Sequence, residues 1–125
     1  MALQNPTGCL SLPASADLST KQYFPVYIDT NGQVVVALDG ARAVGILQTK
    51  PSAQGDICTV APFNGSKLKG IAGANVAKGA ALTAEVTTGR LITAATGDYI
   101  YGYAIESAVD GDIFQFVGLA NGISA

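Results

Sequence analysis

The feature that most constrains this chain is its punctuation. Short β-branched or aromatic runs are cut repeatedly by a glycine beside Asn, Asp or Thr. Asn31-Gly32 precedes Val34-Val35-Val36-Ala37-Leu38, and Asp39-Gly40 ends that run. Thr88-Gly89 separates Thr83–Thr87 from Leu91–Thr93, Gly97-Asp98 opens Tyr99–Ile105, and Gly111-Asp112 opens Ile113–Val117. Glycine reaches the positive φ of a tight turn without a Cβ clash, and Asn or Asp bonds its own following backbone. Such pairs between apolar runs mark hairpins. The spacing therefore predicts strands at these runs and at Tyr23–Ile28, Ala43–Leu47 and Asp56–Val60. The alanine-rich stretch Ile71–Leu82 is not read as a helix. Gly73 and Gly79 interrupt it, each costing about 1 kcal/mol relative to Ala in a helix interior. Many short strands with glycine turns point to an all-β barrel or sandwich-like domain.

At 125 residues the chain fits one domain with one core. It is 49% hydrophobic but only 13% charged, which excludes intrinsic disorder. With so few charges, a small domain exposes apolar patches, and such patches mark contacts with partners. The net charge is −2, and the seven basic residues are scattered, Lys67 and Lys69 being the densest pair. Phosphate recognition needs clustered Lys and Arg, so direct nucleic-acid binding is not expected. No apolar run reaches the ~20 residues of a membrane-spanning helix. Pro13-Ala14-Ser15-Ala16 is similar to a signal-peptidase site, but Met1–Leu12 has neither a basic start nor a continuous apolar stretch. Export by that route is not expected.

Catalytic chemistry finds little to work with. The chain has no His, so Ser-His-Asp and Cys-His arrangements cannot form and zinc loses its commonest ligand. Neither a P-loop nor a dinucleotide-binding glycine pattern occurs. Most carboxylates (Asp29, Asp39, Asp56, Asp98, Asp110, Asp112) sit in turns beside Gly or Asn, where turn chemistry accounts for them. No enzyme activity, cofactor or metal is expected. Cys9 and Cys58 are read as buried thiols acting as small hydrophobes, with a disulfide between them left open.

One internal echo is visible. Val44-Gly45-Ile46 and then Gly55-Asp56-Ile57 are matched by Tyr101-Gly102-Tyr103 and then Gly111-Asp112-Ile113, shifted by 57 and 56 positions. Two readings stay open: an internal duplication, or two hairpins that solve the same turn problem independently. Strand alternation would put Tyr99, Tyr101 and Tyr103 on one face. A tyrosine row suits an interface, or equally ordinary cross-strand packing.

The order of these motifs carries a resemblance. Ser11–Ser19 followed by Gln22-Tyr23-Phe24, then Ala43–Gln48 with Pro51, Lys78-Gly79-Ala80-Ala81-Leu82-Thr83, Thr88-Gly89-Arg90, Gly97-Asp98-Tyr99, Gly102–Glu106 and Gly111-Asp112-Ile113 together resemble the capsid cement, or decoration, proteins of tailed bacteriophages and related capsid-fibre proteins. The match runs over roughly residues 11–118. Ala80 departs from it, since an acidic residue is commoner after the Lys-Gly there. The resemblance implies an all-β fold, a small single-domain barrel or a β-tulip- or β-clip-like arrangement with little helix and an extended N-terminal segment. It further implies a structural protein of the outer capsid surface that partners the major capsid protein and itself, as a homotrimer at three-fold and quasi-three-fold positions. On this reading residues 1–20 form an arm and residues 21–125 the β domain. The candidate capsid or oligomer contacts are Leu3, Leu10, Leu12, Leu18, Tyr23, Phe24, Tyr99, Tyr101 and Tyr103. The alternative is a β-domain adhesin or carbohydrate-binding module, for which Tyr99, Tyr101 and Tyr103 would form the platform.

Overall fold

The computed structural model describes residues 9–124. Ten strands form, and no helix occurs among the described residues. They are β1 (Leu10–Pro13), β2 (Pro25–Ile28), β3 (Val34–Val36), β4 (Gly45–Leu47), β5 (Ile57–Pro62), β6 (Asn64–Ile71), β7 (Ala81–Ala84), β8 (Leu91–Thr93), β9 (Gly102–Ala104) and β10 (Ile113–Leu119). They build two five-stranded sheets, ordered β1-β5-β4-β2-β3 and β6-β10-β9-β7-β8. Every neighbouring pair is antiparallel. The all-β expectation holds, but the barrel does not. After β5 the chain passes through Phe63 and begins a new sheet with β6 instead of closing the first, giving a sandwich-like domain.

The two sheets have the same topology, and the agreement extends beyond strand order. Gly45 pairs with Pro62 as Gly102 pairs with Gly118. A parallel bridge links the outer strands at Ala14–Val34 in one unit and at Ala72–Leu91 in the other. Loop hydrogen bonds repeat too: Ala14 N–H to Asp56 O matches Ala72 N–H to Asp112 O, and Leu18 N–H to Pro51 O matches Val76 N–H to Ala108 O. Two isolated hairpins solving one turn problem would not share five-strand order and loop bonding. The echo is a repeated fold, with residues 10–62 and 64–119 as its units.

Two strands escape the sequence reading. In β6, Lys67 and Lys69 are exposed while Leu68 and Gly70 are buried against Phe116 and Phe114 of β10. In β1, Leu10–Pro13 pairs in full with β5. The expected arm is thus divided. Residues 1–8, with Leu3, lie outside the described residues. From Leu10 the chain is the edge of the first sheet, and Ala14 and Leu18 are buried in its core. That part is no free arm, because its backbone groups are used by β5 and its side chains by the interior.

The first unit has a cluster of its own: Ala14, Leu18, Val26, Val34, Leu47, Cys58 and Val60. Cys58 is interior as expected, whereas Cys9 is exposed. The second unit centres on Phe114, Phe116, Leu82 and Leu91, and its cluster takes in Ala37, Ala43, Ile46 and Ala61 from the first. Tyr101 stands at this junction. It is 1% exposed, its ring stacks on Phe63 at 5.4 Å, and its hydroxyl donates to Ala41 O of the first unit. Burial pushes the phenol up to about 12. The repeat-equivalent Gly45 and Gly102 let backbones touch: a Cβ would lie 2.2 Å from Ala61 O and 2.0 Å from Val117 O, respectively.

Gly102→Ala, whose Cβ meets unyielding backbone, destabilises by about 3 kcal/mol or more in thermal or urea unfolding. Gly55→Ala, at φ 89 with open space around it, costs about 1–2 kcal/mol. The raised phenol means stability is intact below the unfolded tyrosine value of 10.0 and is lost as pH rises toward 12. Unfolding midpoints measured between pH 9 and 12 should show that loss, and Tyr101→Phe should flatten it while costing about 1–2 kcal/mol at neutral pH.

Candidate interaction surface

The structure scatters the sequence-derived contact residues. Leu18, Phe24 and Tyr101 are interior, at 7%, 4% and 1% exposure. They are corrected from contact residues to interior residues: Leu18 and Tyr101 belong to the two clusters, and Phe24 is buried with the Lys21 ammonium 4.9 Å from its ring centre. Leu10 and Leu12 are half-buried against the first cluster. Tyr23, Tyr99 and Tyr103 remain partly accessible. The expected tyrosine row does not form, since regular strand begins only at Gly102 and Tyr101 turns inward to Phe63 and Ala41. The Arg42 guanidinium lies 5.2 Å from the Tyr99 ring centre and donates to its hydroxyl at 3.1 Å. Asn121 donates to the Tyr103 hydroxyl. These three rings therefore make no shared aromatic platform.

Carboxylates are spent on turns. Asp29 accepts from the Asn31 and Gln33 amides, Asp56 from Ser52 and Ala53, Asp98 from Ala95, and Asp112 from Val109. The Thr88 and Thr87 hydroxyls hold the Glu85 carboxyl below its ordinary range. Ser19 does the same for Asp17. No group of three or more His, Cys, Asp or Glu that would hold a metal is found among the described residues. No helix among them is long and apolar enough to cross a membrane.

What the surface offers is apolar and repeated. Ile57 and Ile113 occupy the same place in the two units, directly after the Gly-Asp turn, and are 67% and 58% exposed. Val109 and Ile123 are also exposed, at 55% each. Sequence reasoning passed over these isoleucines by treating them as ordinary strand openings. The signal was present in the duplicated Gly-Asp-Ile itself, which places an aliphatic side chain at an outer strand start twice.

The least expected residue is Tyr23. It adopts φ 71, and its counterpart in the second unit is Gly79, at φ 78. The match is secured by bonding, since Tyr23 N–H donates to Leu47 O as Gly79 N–H donates to Ala104 O. A side chain in this region costs roughly 1–2 kcal/mol, so the first unit keeps a tyrosine where the fold favours glycine. Its ring packs on the shared core, with the Lys69 ammonium 5.9 Å from the ring centre. Together with Ser19, Thr20, Gln22 and Lys50 from the first unit and Ile71 and Ile113 from the second, it lines a groove of about 220 Å³ at the seam.

No family model matches the chain, and no curated protein sequence matches it significantly. Among solved structures, it is similar to the N base of the head fibre protein gp8.5 of bacteriophage phi29. The TM-score is 0.70 at 18% sequence identity, over 94% of this chain and 99% of that one. The chain therefore shares the fold of that head fibre base over 94% of its length.

Proposed function

We propose that the chain is a structural protein of a tailed-phage head: a cement or decoration subunit on the outer capsid surface that stabilises the shell by contact and catalyses nothing. The observation that carries this reading is the near-complete superposition on a phage head fibre base, a protein whose name places it on a head. The motif order in residues 11–118 supports the same assignment independently.

The proposed assembly is a homotrimer at three-fold and quasi-three-fold positions, bound to the major capsid protein. Within the chain, the β3–β4 loop of the first unit meets the β7–β8 hairpin of the second, Asp39 N–H donating to Glu85 O at 3.1 Å and Gly40 N–H to Ala84 O at 3.0 Å. This contact joins unlike surfaces. Its two counterparts, the β2–β3 hairpin tip at residues 30–32 and the β8–β9 loop at 95–97, are exposed. Gly97 N–H, the equivalent of Gly40 N–H, already bonds Ser124 O within the chain, so a contact between copies at these loops would not reuse the internal backbone bonds; a head-to-tail contact of any kind closes into a ring when the rotation permits.

The test is mass and binding. Purified protein is expected to sediment as a trimer and to bind expanded heads assembled without it, raising their resistance to heat. A stable monomer with no affinity for such heads would overturn the proposal.

A further inference from the structure

We infer that the seam groove receives an extended segment of the head shell in which carboxylates flank an aliphatic side chain. This rests on the function proposed above and goes beyond it by naming the contact and its chemistry.

Three observations converge on the groove. The first is charge. Lys50 and Lys69 are both exposed, and neither forms an ion pair among the described residues, where the one such pair is Arg90–Asp110. No carboxylate lines the groove. Neither ammonium group is held by a carboxylate of the chain among the described residues, so both are open to one from a partner. The second is the apolar lining: Ile113 is 58% exposed, and it lies beside Ile71 and the Tyr23 ring. Aliphatic surface edged by ammonium groups fits a partner that is aliphatic with acidic neighbours.

The third observation is divergence between the units. The positions of Tyr23 and Lys50 are filled in the second unit by Gly79 and Ser107, the latter aligned by the bonds Leu18 N–H to Pro51 O and Val76 N–H to Ala108 O. The second unit makes the same fold with neither a ring nor a charge there. The strand arrangement forms without either side chain in the second unit, yet the first unit accepts a left-handed tyrosine whose ring both packs on the shared core and lines the groove. Strained residues of this kind collect at binding sites. Two lysines are too few for a phosphate backbone, whose binding draws on many, so a protein segment is the occupant. The groove's size admits one large side chain from it.

The experiment pairs charge reversal with head binding. Lys50→Glu/Lys69→Glu changes two exposed side chains and is expected to leave the melting temperature and sedimented mass as in the wild type. It should weaken binding to heads lacking the protein roughly tenfold or more and remove most of the loss seen on raising salt. Ile113→Asp should weaken binding similarly, whereas Lys78→Glu, outside the groove, should not. A double variant that binds heads with wild-type affinity and salt dependence overturns the inference alone. A double variant whose mass falls below that of the wild type also overturns it, by making the groove a contact between copies. Wild-type protein that fails to bind heads overturns the functional reading and this inference with it.

Discussion

Ten short strands hold together here because the second unit's interior extends across the seam into the first. Each unit spans only about half the chain, a size at which folding buries about 60% of the surface and stability is marginal. The first unit's own cluster consists of small and medium side chains, with no aromatic residue among them. The large rings, Tyr101, Phe114 and Phe116, belong to the second cluster, and Ala37, Ala43, Ile46 and Ala61 reach across to pack on it. Alanines on that surface allow close approach, and the Tyr101 hydroxyl bonds Ala41 O from the other side. Neither unit is a domain in its own right; the seam is where both obtain their cohesion.

Much of this was legible. The glycine turns located eight of the ten strands, because a residue that must take positive φ leaves the same mark wherever it occurs. The shift of 57 and 56 positions exposed the repeat before any pairing was known. Longer-range facts were not legible. Spacing locates strands without stating which ones pair, so a chain of hairpins reads equally as one barrel or two sheets. β6 escaped because its alternation places Lys67 and Lys69 outward, with Gly70 in place of an apolar side chain under Phe114. The tyrosine row failed because alternation holds only inside a regular strand, and Tyr101 precedes one.

A duplicated fold also supplies an internal reference for reading its residues. Where the units agree, as at Gly45 and Gly102 or Ala14 and Ala72, the backbone dictates the residue. Where they disagree at matched geometry, another demand is acting. Those disagreements include Tyr23 against Gly79 and Lys50 against Ser107, both at the seam groove.

The parallel bridges at Ala14–Val34 and Ala72–Leu91 have one further consequence. They draw the outer strands of each sheet toward each other, so that neither sheet presents a long flat margin on which a neighbour's strand can template. The valine run of β3 would otherwise be an open invitation to polymerise. On β6, the lysines at 67 and 69 guard the longest remaining margin. Molecules of this kind can be crowded side by side at high local density without zipping into fibrils.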